Sequence, residues 1–233
     1  MSTIYLIPCV LADDAAETIP AYVMEAVKKC QVIFAENERT ARRFLRLMDK
    51  QIVIDNYEWF AIHKAEEDEL KNFTQKIKEE KNIAIISEAG CPGIADPGQI
   101  LIAAAQKLNC IIKPLVGPSS ILLALMASGM NGQQFEFVGY LPIDNAERTK
   151  KIKELEIASQ KNNSTKIFIE TPYRNNALVE SLLKICDNKT LLCIASNLTA
   201  ANETVKTMLI SQWKIKKPQL HKQAAIFLLY AGN

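Results

Sequence analysis

Short runs of apolar residues alternate with longer stretches in which apolar positions recur every three or four residues, and this alternation continues along the whole chain. The first run, residues 3–8, contains β-branched residues and closes on Pro8, which predicts a strand. From Pro20 onward Val23, Met24, Ala26 and Val27 fall at helical intervals, so a helix of about three turns is expected there, with proline suited to its first turn. Residues 32–35 predict a second strand. Residues 38–48 predict a basic amphipathic helix, with Phe44, Leu45 and Met48 on one side and Arg39, Arg42, Arg43 and Arg46 around the other. Residues 52–54 are a candidate third strand, and residues 66–80 read as a charged surface helix whose Leu70, Phe73 and Ile77 turn inward.

Residues 83–86 form a continuous apolar run of the kind buried in a parallel sheet, followed by a turn-rich loop, a helix over 99–108 and a strand over 111–116. That order is a βαβ unit. Gly117-Pro118-Ser119-Ser120 then offers two hydroxyls to cap an apolar helix over 121–127. After a break at 129–134 the pattern restarts: strand 136–140, helix 146–158, strand 166–170, helix 176–185, strand 190–195, a helix around 205–213 and a final strand 224–230. The alternation argues for an α/β fold in both halves, with a domain boundary near residue 132, giving domains 1–132 and 133–233. No internal repeat or low-complexity segment interrupts it.

A composition of 48% hydrophobic and 23% charged residues excludes a disordered chain, and 233 residues suffice for two buried cores. The net charge of +2, from 28 basic and 26 acidic residues, gives no overall attraction to nucleic acid, so any such contact must come from a local patch. The six cysteines lack Cys-x-x-Cys spacing, which fits free thiols in a reducing compartment. The first ten residues have no basic region ahead of an apolar core and no small-residue cleavage pattern, and no window holds about 18 uninterrupted apolar residues. Neither an export signal nor a membrane span is expected, and a cytoplasmic location follows. His63 and His221 stand far apart without companions at metal-ligand spacing, so no metal site is expected.

The strongest local signal is the loop Ser87-Glu88-Ala89-Gly90-Cys91-Pro92-Gly93-Ile94-Ala95-Asp96-Pro97-Gly98, which holds three of the eight glycines and two of the nine prolines. It follows a buried strand and precedes a helix, the position where open α/β sheets bind ligands. Glycine admits a ligand close to the backbone, and proline lowers the cost of holding one loop shape. A rigid connection without a ligand is the competing reading. The loop lacks both the Lys-Ser/Thr of a P-loop and a Gly-x-Gly-x-x-Gly turn, which argues against a phosphate cradle and for a ligand held by backbone amides and carbonyls.

This loop resembles the Ser-Asp-Ala-Gly-Thr-Pro-Gly-Ile-Ser-Asp-Pro-Gly loop of the tetrapyrrole methylase superfamily, in particular its ribosomal RNA small-subunit methyltransferase I branch. Glu36-Asn37-Glu38-Arg39 is similar to that branch's Glu-Asp-Thr-Arg, and Gly117-Pro118-Ser119-Ser120 to its Gly-Pro-Ser-Ala. Phe137-Val138-Gly139-Tyr140-Leu141-Pro142 matches Phe-x-Gly-Phe-Leu-Pro, and Glu170-Thr171-Pro172-Tyr173-Arg174 matches Glu-Ser-Pro-His-Arg. The resemblance spans nearly the whole chain. It implies two α/β domains of the tetrapyrrole methylase type, a homodimer, and S-adenosyl-L-methionine in a cleft between the domains. By position it assigns cofactor contacts to Gly90, Cys91, Pro92, Gly93, Ile94, Ser119, Ser120, Ile169, Ala195 and Ala225.

The departures are local. Pro8-Cys9-Val10-Leu11 stands where the family has Pro-Ile-Gly-Asn-Leu, and Ala195-Ser196-Asn197-Leu198-Thr199-Ala200 followed by Asn202-Glu203 where the branch has Ala-Arg-Glu-Leu-Thr-Lys and His-Glu. Asn37, Ala41 and Tyr173 also replace polar family residues. The resemblance implies methyl transfer to a ribose hydroxyl of ribosomal RNA. The lost charges keep open a tetrapyrrole or other small-molecule acceptor, or a silent cofactor-binding homologue.

A hydroxyl acceptor gains from a nearby base, and Glu36, Glu88, Asp96 and Glu170 are the carboxylates at strand ends or in loops, with Glu88 and Glu170 the leading candidates. Each also has a purely structural role open to it: Glu36 and Arg39 as a helix-start pair, Asp96 bonding its own loop, Glu170 and Arg174 as a surface ion pair. Likewise the four arginines suit a phosphate backbone or a solvated face, and Tyr57, Trp59 and Phe60 suit stacking on a base or ring, or simple packing.

Overall fold

In the computed structural model, which describes residues 1–62 and 67–232, the chain divides into two compact units, Met1–Ser119 and Ser120–Asn233. The first is built on β1 (Thr3–Ile7), β2 (Val32–Ala35), β3 (Glu58–Ala61), β4 (Ile83–Ile86) and β5 (Ile111–Pro114). These strands are all parallel and run in the order β3-β2-β4-β1-β5. Every residue of β2 and β4 is buried, as parallel strands covered on both faces require. Tyr5, Ile7, Ile33, Ala35, Ala84 and Ile86 pack on α1 (Tyr22–Val27) and α2 (Glu38–Met48). The alternate residues Ile4, Val32, Phe34, Ile83 and Ile85 pack on α3 (Glu67–Lys78) and α4 (Gln99–Lys107).

That sorting of helices positions the site. The chain leaving β1 goes to a helix on one face, and the chain leaving its neighbour β4 goes to a helix on the other. The two loops therefore part at the carboxyl edge of the sheet, the switch point at which open α/β sheets bind ligands.

The second unit opens with α5 (Ser120–Ser128) and contains β6 (Phe135–Tyr140), α6 (Asn145–Asn162), β7 (Thr165–Ile169), α7 (Asn175–Ile185), β8 (Leu191–Ser196), β9 (Thr204–Leu209), α8 (Ile210–Ile215) and β10 (Ala225–Tyr230). Its sheet runs β6-β7-β10-β8-β9; β6 and β7 are parallel, whereas β10 is antiparallel to both neighbours and β9 to β8. Phe168, Leu192, Ile194, Phe227 and Leu229 face a core shared with Ile152, Leu182 and Trp213. The helix α5 lies against β9 and β10, where the Thr207 hydroxyl donates to the Ser128 carbonyl at 2.7 Å. This packing puts the division at Ser119/Ser120, ahead of the residue 132 suggested by the glycine-rich break.

Two expected elements are of a different kind. Residues 52–54 are not a strand: a 3-10 turn occupies Ile54–Asn56, fixed by the Trp59 indole donating to the Ile54 carbonyl at 3.1 Å, and the strand follows at Glu58–Ala61. Phe60 stacks on Phe34 at 4.8 Å, so the aromatic cluster there serves the core. Residues 205–213 divide into β9 and α8. The β-branched Thr204, Val205 and Thr207 pair with β8 in register from Ser196 to Leu191, and sheet packing of this sort overrides a weak helical spacing. The helix α1 has six residues, fewer than expected, and α6 runs on to Asn162, where Asn163 ends it in the left-handed conformation at φ 48°. His63 and the first residue of the expected 66–80 helix lie outside the described residues. Among the described residues, no helix is long and apolar enough to cross a membrane.

Candidate active site at the carboxyl edge of the parallel sheet

The loop 87–98 leaves β4 and is pinned at three points. The Ser87 hydroxyl donates to the Ala89 and Gly90 carbonyls at 3.3 Å. Gly90, at φ +72°, exchanges two backbone hydrogen bonds with Cys9 of the neighbouring loop, at 2.9 and 3.1 Å. Asp96 accepts from the Gly93 N–H through both carboxylate oxygens, at 3.0 and 2.9 Å, and from the Gly98 N–H at 2.7 Å. Between these clasps Gly93 takes φ +81° and Ala95 φ +60°, the latter a strained setting for a residue with a Cβ. The Cys91 thiol donates weakly to the Pro118 carbonyl at 3.5 Å, joining this loop to the Gly117–Ser119 turn. A Cβ on Gly117 would stand 2.1 Å from Pro8 Cβ, so that turn can seat on β1's exit only with glycine.

Three carboxylates gather here. Glu36, leaving β2, accepts from the Glu88 N–H at 2.9 Å, and Asn37 donates from its side-chain amide to Glu88 Oε1 at 3.4 Å. Burial pushes the half-buried Glu36 above its usual range; the Glu88 N–H opposes this, and the charges of Asp96 and Glu88 add to it. Burial likewise pushes Asp96 up against the pull of the Gly93 and Gly98 N–H groups. No lysine or arginine occurs in the loop. An edge of this composition repels phosphate and suits a cation, which is the charge of a sulfonium. The exposed Ile94 adds apolar surface, so the loop fits a sulfonium nucleoside in chemistry. The adjoining recess, lined by Cys9, Leu11, Thr40, Arg43 and Glu88 among others, has a volume of about 110 Å³, below the ~300 Å³ of ordinary ligand pockets.

Of the expected contacts, Gly90, Cys91, Pro92, Gly93, Ile94 and Ser119 belong to the first unit, where the Cys91 link draws the loop and the turn together. Ser120, Ile169, Ala195 and Ala225 belong to the second. There Ile169 and Ala195 both pair with Ile226, so they share one face of three adjacent strands, while Ala225 points to the other face. Glu170 is buried, its Oε1 accepting from Arg174 Nε at 2.9 Å, Arg174 Nη2 at 2.7 Å and the Thr171 N–H at 2.7 Å. Glu88, by contrast, is exposed beside the loop. Sequence reasoning undervalued Glu36, whose clasp on Glu88 spans two strands distant in sequence, and missed the Gly117–Pro8 contact, although a glycine directly after a strand was a visible signal.

The family model of tetrapyrrole (corrin/porphyrin) methylases matches residues 14–213. The chain belongs to this family. This methylase is 28% identical over 201 residues to the ribosomal RNA small subunit methyltransferase I of Micromonospora olivasterospora, covering 86% of this chain and 61% of that protein. It is 29% identical over 214 residues to the protein of the same name from Helicobacter pylori, covering 87% of this chain and 71% of the relative. The chain thus spans about three fifths of the length of the first relative. In fold it resembles the uroporphyrin-III C-methyltransferase of Thermus thermophilus solved with S-adenyl homocysteine, at a TM-score of 0.60 and 13% identity, covering 98% of this chain and 97% of that one.

Proposed function

We propose that this tetrapyrrole methylase uses S-adenosyl-L-methionine to methylate a ribose hydroxyl of ribosomal RNA. The observation that carries the reading is the braced, cation-favouring loop 87–98 at the switch point of the parallel sheet, and two relatives named as ribosomal RNA methyltransferases support the acceptor. When bound, the cofactor supplies an electrophilic methyl on a sulfonium sulfur. The chain's task is alignment and exclusion of water, since an in-line displacement gains most from holding acceptor and methyl about 3 Å apart. Gly90, Cys91, Pro92, Gly93, Ile94 and Ser119 hold the cofactor in this proposal; Ser120, Ile169, Ala195 and Ala225 are contacts by resemblance alone. Glu88 takes the hydroxyl proton, and Glu36 fixes the loop that carries it. Glu170, saturated by Arg174 and Thr171, is the weaker base.

The protein works as a cytoplasmic homodimer in this reading, supported by the exposed Leu122 and Met126 on α5. A second reading, in which a tetrapyrrole or other small molecule accepts the methyl, draws on the uncharged stretch 195–202. Calorimetry with S-adenosylmethionine, followed by transfer of labelled methyl to small-subunit ribosomal RNA, tests both. Micromolar binding and ribose-methylated RNA are expected; absence of cofactor binding refutes the proposal, and binding without RNA labelling leaves the second reading.

A further inference from the structure

We infer that the arginine face of α2 is the track on which an RNA phosphodiester backbone lies while its acceptor ribose reaches the carboxylates beside loop 87–98. This rests on the ribosomal RNA reading and names the surface that reading needs. Arg39, Arg42, Arg43 and Arg46 stand at i, i+3, i+4 and i+7 of α2, which places all four within about 100° of the helix circumference and along about 10 Å of its length. They line a solvent-open recess of about 500 Å³ together with Glu38.

The row is partly preorganised. The Arg42 guanidinium lies over the Trp59 ring at 4.6 Å and is held by Glu38 Oε2 at 3.1 Å, and Trp59 is itself anchored by its bond to the Ile54 carbonyl. The Arg43 guanidinium reaches Asp13 at 2.7 Å in a pair exposed at both ends, and such a pair is weak enough to exchange for phosphate. Among the described residues, no carboxylate lies within ion-pair distance of Arg39 or Arg46, and both side chains are exposed. Guanidinium forks grip phosphate in pairs of hydrogen bonds, and a spaced row suits a polyanion where a single small anion calls for converging groups.

The row also leads to the site. The helix begins at Asn37, which caps it through the Thr40 N–H at 3.2 Å and bonds Glu88 from its amide. Arg43 lines both the arginine recess and the small cleft beside Glu88 and Ala89. A backbone seated on the row therefore brings its neighbouring ribose to the carboxylate edge without leaving the first unit.

The test uses the full chain and a fluorescein-labelled 30-nucleotide single-stranded RNA of mixed sequence, titrated at several salt concentrations. R39Q/R46Q is expected to weaken binding at least tenfold at low salt and to flatten the slope of log affinity on log salt by about 1.4, since each phosphate contact contributes roughly 0.7. Asp13→Ala, which releases Arg43, should strengthen binding severalfold, a change that misfolding cannot imitate. A K150Q/K153Q control on α6 should change nothing. Cofactor affinity, measured by calorimetry on each variant, should stay at the wild-type value. RNA binding by R39Q/R46Q equal to wild type overturns the inference and leaves ribosomal RNA methylation standing. Cofactor binding without any salt-dependent RNA binding by the wild type overturns the inference and moves the acceptor to a small molecule. Row-dependent RNA binding without cofactor binding supports the track and sinks the methyl-transfer reading.

Discussion

Gly93→Val puts the loop to its sharpest test. Gly93 sits at φ +81°, and a Cβ there would meet Ile102 Cδ1 at 2.7 Å. The left-handed conformation costs a β-branched residue about 1–3 kcal/mol. The obstructing atom is the end of a flexible side chain, so Ile102 can turn aside for about 0.5–1.5 kcal/mol more. The sum, roughly 1.5–4.5 kcal/mol, is smaller than the ~5–15 kcal/mol that holds a typical domain together, so the variant should fold with its melting temperature lowered by about 3–18 °C. The local consequence is larger. The Gly93 N–H is also the donor to both oxygens of Asp96, so a shift of Gly93 opens the clasp that shapes the loop.

If the loop relaxes away from its binding shape to shed that strain, cofactor binding must restore it, and affinity should fall roughly 10- to 1,600-fold. Calorimetry with S-adenosylmethionine and a thermal melt read the two effects separately. An Ile102→Val background should rescue part of the loss by removing Cδ1, giving a coupling of about 1 kcal/mol. Gly129→Ala, at φ +69° with nothing within 4 Å, should lose a little stability and no affinity. A lowered melting temperature with wild-type affinity in Gly93→Val would refute the assignment of the cofactor to this loop.

Removing Arg174 strands a buried carboxylate, so Arg174→Ala should cost about 3 kcal/mol in denaturant unfolding, whereas Glu170→Gln should keep methyl transfer within severalfold; complete loss of transfer in Glu170→Gln would restore Glu170 as the base. Burial pushes the Cys9 and Cys30 thiols up to about 12, while Cys91 is only partly buried, so iodoacetamide followed by mass spectrometry should label Cys91 well before Cys9 or Cys30, and saturating cofactor should protect it. Equal labelling with and without cofactor would speak against a contact at Cys91. Glu36 is raised from 4.5, so its contribution to stability is complete below that value and fades as pH climbs through the folded one. Melting temperatures of wild type and Glu36→Gln, compared from about pH 4.5 towards neutrality, should therefore diverge with wild type losing ground; a constant difference would place Glu36 in solvent.

The parts of this fold written in short-range pattern were legible. The run Ile83–Ile86 reads as a strand covered on both faces, and the bounds of α2 follow from a clear apolar stripe. What depended on long-range pairing was not. Residues 204–209 become a strand because β8 offers an edge in register, and nothing within the segment announces that partner. Ile52 and Val53 look like a strand, but the decision is made by Trp59 and Phe60 beyond them, one anchoring the turn and the other stacking on Phe34. The same holds for the site. The glycines and prolines of loop 87–98 marked the candidate loop in the sequence, whereas the Glu36–Glu88 clasp joins positions 52 residues apart and exists only once β2 lies beside β4.

The net charge of +2 conceals a separation of charge along one helix. Glu36 and the Glu88 it clasps stand at the start of α2, and the four arginines occupy its outer face. The helix is about 16 Å long, and at physiological salt exposed charges are screened beyond about 8 Å, so Arg46 near its far end is screened from the acidic start, while Arg39 and Arg43 stand close to it. The proposed function sets two ligands of opposite charge beside each other: the sulfonium must sit where carboxylates favour a cation, and the polymer must be held where they do not repel it. Glu36 and Asp96 are half-buried, so their field persists when salt rises; Glu88 and Arg39, Arg43 and Arg46 are exposed, so theirs does not. On the proposed function, cofactor binding should therefore change little with ionic strength while RNA binding falls as salt rises.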